Sequence, residues 1–215
     1  MPCTELFRNR MNPGAVQRER FESLHPDGRR LIQHWFARAW DQRECEPFES
    51  FEPFIYTWIA LNGWANRCTG WDQDRMWLDA LIQSEEFNRL FADQIAASTA
   101  FNQEARQFRE LWPVFRAQEI RRLGICVRDD VGRAQVVDQF LRGGAKQLAP
   151  DCWIRHRTAN EQPPLDWAHT LSVLYRIRCN LFHGDKVPHS ETDRKLVSAG
   201  FRVLVHFLAE ATNIR

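Results

Sequence analysis

The sequence predicts an all-α protein, an antiparallel helical bundle, on three observations. Apolar residues recur at helical spacing along most of the 215-residue chain. Strand signals are nearly absent. Capping residues stand at the starts of the periodic segments, with glycine or proline near their ends. Hydrophobic residues make up 44% of the chain, nine Trp and fifteen Phe among them, which suffices for the core of a single helical domain over 1–215.

In chain order, residues 15–42 read as helical on either side of a break at His25-Pro26-Asp27-Gly28. The segment FEPFIYTWIALNGWANRC, from Phe51, is the most apolar, and Pro53 fits a first helical turn. Phe54, Trp58, Leu61 and Ala65 recur at helical spacing, while Ile55, Ile59 and Asn62 widen the stripe. A helix apolar nearly all round is a buried one, so this is the expected central helix. Further helices follow over 74–83 and 84–122. Ser84 suits an N-cap, Glu85 and Glu86 favour the first-turn dipole, and Pro113 should kink or divide the second helix.

Residues 124–165 lose this regularity. They carry Gly124, Gly132, Gly143-Gly144, Pro150 and Pro163-Pro164, and read as an irregular insertion with one short helix near 133–141. Order returns where Asp166 caps a helix from Trp167 to about Phe182, ended by Gly184. Ser190 with Asp193 makes a capping-box-like start for the last helix. Leu196, Val197, Val203, Leu204, Phe207 and Leu208 form its apolar stripe.

Composition narrows the function classes. No apolar run approaches the roughly 20 residues that cross a bilayer, and the N-terminus lacks the apolar segment of a secretory signal. The expectation is a cytoplasmic protein with no membrane partner. Six cysteines are scattered without a C-x-x-C pair or zinc-like Cys/His spacing, so they read as free thiols, with no metal and no cofactor. Cys152 and His156 stand four apart, which alone defines nothing. Net charge is only +1, yet residues 41–86 hold ten acids against three arginines, and residues 105–157 hold eleven bases against six acids. Such asymmetry suits either a nucleic-acid footprint or an ordinary solvated helix face.

The chemistry concentrates in LYRIRCNLFHGDK, residues 174–186. On an ideal helix at about 100° per residue, Leu171, Leu174, Tyr175, Ile177, Leu181 and Phe182 cover one face. Arg178 projects near its middle, while Arg176, Asn180 and His183 share the opposite side. An arginine on an apolar face requires an acid inside the fold or a recessed pocket at a subunit contact. His183 near a helix C-terminus either complements the dipole or serves a site. Arg178 and His183 are separated by about 140° unless the helix loosens before Gly184 or a second chain supplies the partner.

Arg178-Cys179-Asn180-Leu181-Phe182-His183-Gly184 resembles the signature of HEPN domains, an arginine followed four to six residues later by histidine. The longer YRIRCNLFHGDK is similar to the motif-helix end of the Apea-like HEPN group. FIYTWIALNGW, residues 54–64, resembles the W-I-x-x-N helix that packs beside it, and SETDRKLVSAGFRVLVHFL resembles the closing helix. The likeness is strongest over 51–66 and 166–208 and does not cover the first 40 residues or 124–165. The family often places a polar residue directly after the arginine; here that position is Cys179 and Asn180 follows it.

The resemblance implies a bundle that forms a homodimer, with two motif helices facing one cleft. It implies a metal-independent endoribonuclease of toxin–antitoxin, abortive-infection or anti-phage systems, acting on single-stranded or loop RNA, with a separate antitoxin protein as a possible partner. Arg178 and His183 would be the catalytic pair, with Asn180 their polar assistant. Arg176 and Lys186 would bind substrate, and Trp153 or Trp167 would either stack bases or belong to the core. In that chemistry His183 moves protons, Arg178 stabilises the phosphorane, and the products are a 2′,3′-cyclic phosphate and a 5′-hydroxyl. The alternatives are a non-catalytic HEPN RNA-binding or dimerisation module, and a bundle in which Arg178 merely pairs internally.

Overall fold

Ten helices and one two-stranded sheet make up the described part of the chain. The computed structural model describes residues 16–117, 120, 130–143, 148–183 and 190–214. In order these elements are α1 (Glu19–Glu22), α2 (Pro26–Trp40), α3 (Phe51–Thr69), α4 (Asp74–Gln83), α5 (Glu85–Ala97), α6 (Thr99–Glu110), β1 (Val114–Phe115), α7 (Asp130–Gly143), β2 (Leu148–Ala149), α8 (Trp153–Thr158), α9 (Trp167–Phe182) and α10 (Glu191–Ala211). The all-α class holds. No described helix is long and apolar enough to cross a membrane.

Local chemistry sets most helix ends. The side chains of Ser84, Asp166 and Ser190 accept from the backbone N–H groups of Phe87, His169 and Asp193, as an N-cap should. Gly70 closes α3 at φ 73°, a left-handed conformation that costs glycine nothing. The early break differs from expectation. It falls just before Pro26, which opens α2 itself, because a helix tolerates proline where the N–H has no partner. The expected helix over 84–122 is also divided, at Ser98, whose hydroxyl accepts from Phe101 N–H at 3.2 Å and starts α6.

The core lies where α3 meets α2 and α10, with α6 and α9 packed around it. Trp58, Trp64, Trp77, Trp167, Phe87, Phe91 and Phe207 are fully buried. Each such side chain contributes about 1.5–3 kcal/mol or more by leaving water. The rings of Trp167 and Phe207 lie 4.0 Å apart, so Trp167 is a core residue and does not face a ligand. Gly200 admits α9 against α10: a Cβ there would meet Ile177 and Leu174 at 3.2 Å.

The 124–165 segment carries more structure than expected. Its helix runs over Asp130–Gly143, β2 pairs antiparallel with β1, and α8 follows. Val114 opposes Ala149 and Phe115 opposes Leu148, with cis peptides at Trp112-Pro113 and Ala149-Pro150. Phe115, Ile120, Val136 and Leu148 form a small apolar cluster of their own. Both strands touch α9, so this segment covers part of the motif helix.

Candidate functional site on the motif helix

Along α9, Trp167, Leu171, Leu174 and Ile177 are fully buried and anchor the helix. Its polar residues then leave in four directions. Arg178 finds an acid within the fold: its Nη2 lies 3.2 Å from Asp74 Oδ2, both side chains about a quarter exposed. The other oxygen of Asp74 accepts from Asn62 Nδ2 at 3.3 Å. Asp74, at the first position of α4, thus joins the asparagine of WIALN on α3 to the arginine of RCNLFH on α9. The guanidinium also covers the Phe182 ring, 4.6 Å from its centroid, while its Nε is buried and makes no hydrogen bond.

Asn180 is buried and engages backbone with both ends of its amide. Nδ2 donates to Phe115 O at 2.8 Å, and Oδ1 accepts from Ala117 N–H at 3.3 Å. It therefore ties the end of β1 to α9. Tyr175 stands one turn before Cys179; burial first, and then the Cys179 thiol, push the Tyr175 pKa up to about 12. Tyr175 in turn lies against Trp58.

His183 closes α9 as an exposed residue, its N–H bonded to Cys179 O at 3.1 Å. The α-helical bond persists to this residue, so the five-residue offset keeps His183 and Arg178 about 140° apart within one chain. Phe182, beside it, is 55% exposed, with Leu31 and Phe48 one of three large apolar side chains so open among the described residues. Gly184 as helix terminator and Lys186 as substrate ligand both lie outside the described residues.

Arg176 takes the fourth direction, into a pocket of about 350 Å³ between α4, α9 and the turn after β2. Burial lowers its pKa, partly countered by Cys179 and Asp151, and Arg116 is a cationic neighbour. The same pocket holds a cluster that sequence spacing did not disclose. Cys152 lines it together with His169, while the His156 ring faces Glu161 at 3.4 Å. His169 Nδ1 lies 2.6 Å from Asp166 Oδ1. Asp166 was legible only as a cap, because nothing in the sequence shows β2 bringing Cys152 back to the first turn of α9. Among the described residues, no group of three or more His, Cys, Asp or Glu is placed to hold a metal ion. Comparison with family models, curated proteins and solved structures found no match to the chain.

Proposed function

We propose that the protein is a metal-independent endoribonuclease of the HEPN type that acts as a homodimer through the C-terminal end of α9. The observation that carries this reading is the grouping of Arg178, exposed Phe182 and exposed His183 on that end. An apolar ring open to solvent between an arginine and a histidine suits a contact with a second copy. A second copy also answers the geometry, since its His183 can approach the Arg178 that its own helix turns away from.

In this mechanism one His183 takes the ribose 2′-hydroxyl proton and the other protonates the leaving 5′-oxygen. Asp74 holds Arg178 at Nη2, and Nη1 is left to donate to the nonbridging oxygens. Asn180 acts as a positioning residue, fixing α9 to β1. Arg176 and Arg116 offer positive charge to a flanking phosphate. The biological setting that fits is a toxin or abortive-infection nuclease held in check by a separate protein.

The test is incubation of single-stranded RNA with the purified chain in EDTA, with end-group analysis of the products. Cyclic 2′,3′-phosphate and 5′-hydroxyl ends are expected, with a dimer in sedimentation that Phe182→Asp dissociates. A strict metal requirement, or a monomer that cuts as well as the wild type, contradicts the mechanism.

One observation favours a second reading, a non-catalytic HEPN RNA-binding or dimerisation module. The Asp74–Arg178 ion pair gives Arg178 a reason to be where it is without any substrate. RNA bound and recovered intact by the wild type would select that reading.

A further inference from the structure

The Cys152 pocket is independent of the ribonuclease reading. The turn after β2 carries Cys152 to the first turn of α9, where it lines one pocket with His169. Asp166 Oδ1 accepts from the His169 backbone N–H at 2.9 Å and lies 2.6 Å from its Nδ1. One carboxylate oxygen thus caps the helix and orients the imidazole. With Nδ1 so engaged, Nε2 is the nitrogen left for sulfur. The His169 side chain is only 11% exposed, and Asp166 holds its rotamer. Burial opposes charge on the ring, but the bond to Asp166 and the neighbouring Cys152 outweigh it, and the imidazole pKa is pushed up to about 11. An imidazole oriented by a carboxylate in the same pocket as a thiol is the arrangement that activates a cysteine nucleophile.

The space beside this group has the size and lining of a small-ligand site. Leu78, Ile82, Pro150 and Ala168 supply apolar walls to the 350 Å³ pocket. Its charges are balanced in sign, Arg75 and Arg176 against Asp79 and Asp151, and Tyr175 completes the titratable set. Such a lining suits an uncharged acyl group better than an anion.

We propose that Cys152, His169 and Asp166 form a nucleophilic triad that accepts small apolar acyl esters or thioesters in the pocket between α4 and α9. Cys152 Sγ attacks the acyl carbon, the bond from that carbon to the leaving oxygen or sulfur breaks, and the leaving group takes a proton from His169. Water then attacks the S-acyl carbon. His169 removes the proton of that water and returns it to Sγ as the carboxylic acid departs.

The probe is p-nitrophenyl butyrate, with the acetate beside it, on the full chain. A burst of about one nitrophenolate per chain is expected, with a butyryl adduct on the peptide containing Cys152. His169→Gln should slow the burst at least tenfold. Ile82→Trp, which narrows the pocket, should slow the butyrate more than the acetate. His34→Ala, at an exposed histidine of α2, should leave the burst unchanged. A butyryl adduct on another cysteine, or no adduct, overturns the proposal, as does a wild-type rate in His169→Gln. Should His169→Gln fail to fold by circular dichroism, iodoacetamide alkylation of wild-type Cys152 decides. Alkylation of Cys152 at least tenfold faster than of the partly exposed Cys45 upholds the triad; an equal or slower rate overturns it.

Discussion

Asp74 Oδ2 holds Arg178 Nη2 at 3.2 Å, and through its other oxygen Asn62. This pair binds the start of α4 to the motif helix and supplies the acid that an arginine on an apolar face requires. With each side chain about a quarter exposed, the pair is neither a screened surface bridge nor a dry one. A double-mutant cycle of Asp74→Asn and Arg178→Gln, read by urea unfolding, should give a coupling of about 1 kcal/mol. Additive single changes would mean that the two groups do not interact in solution.

Asn180 should behave as a structural residue by its contacts. Asn180→Ala leaves Phe115 O and Ala117 N–H without their partner, at a cost of about 1–3 kcal/mol. Asn180→Asp should also destabilise, since a carboxylate cannot donate to Phe115 O. Urea midpoints close to the wild type for both variants would contradict this assignment.

These two residues mark the limit of what the sequence discloses. Caps at Ser84, Asp166 and Ser190 were readable because a cap is written within three residues of the helix it starts. The helical class and the buried α3 were readable from periodicity. Ser98 was not, because the apolar pattern runs on through it and the hydroxyl decides the break locally. The β1–β2 pairing escaped because strands of two residues carry no alternation and meet across a long stretch of chain. The partners of Asn180 are backbone groups of β1, which no side-chain pattern announces. Arg178 was recognised as needing an explanation, but its choice of Asp74 depends on how α4 packs on α9.

The ion pair of His169 with Asp166 makes stability depend on pH. The raised folded pKa means that the native ring keeps a proton that the unfolded chain releases above about 6.5. The stabilisation is complete below that pH and is lost as pH rises toward the folded value. Cys152→Ser isolates the ion pair, since it removes the thiol and keeps Asp166 beside the imidazole. The urea midpoint of Cys152→Ser should fall between pH 7 and 9, and adding Asp166→Asn should flatten the slope. A midpoint that rises over this interval contradicts the assigned direction.

The ribonuclease mechanism stands or falls on His183. The side chain is exposed at the end of α9, so His183→Ala should change folding stability by no more than about 0.5 kcal/mol. The decisive measurement is single-turnover cleavage of labelled single-stranded RNA in EDTA by wild type and His183→Ala at equal folded concentration. A ribonuclease that uses His183 for proton transfer should lose about 100-fold or more in rate. Equal cleavage by the two proteins, or none by the wild type, would contradict it.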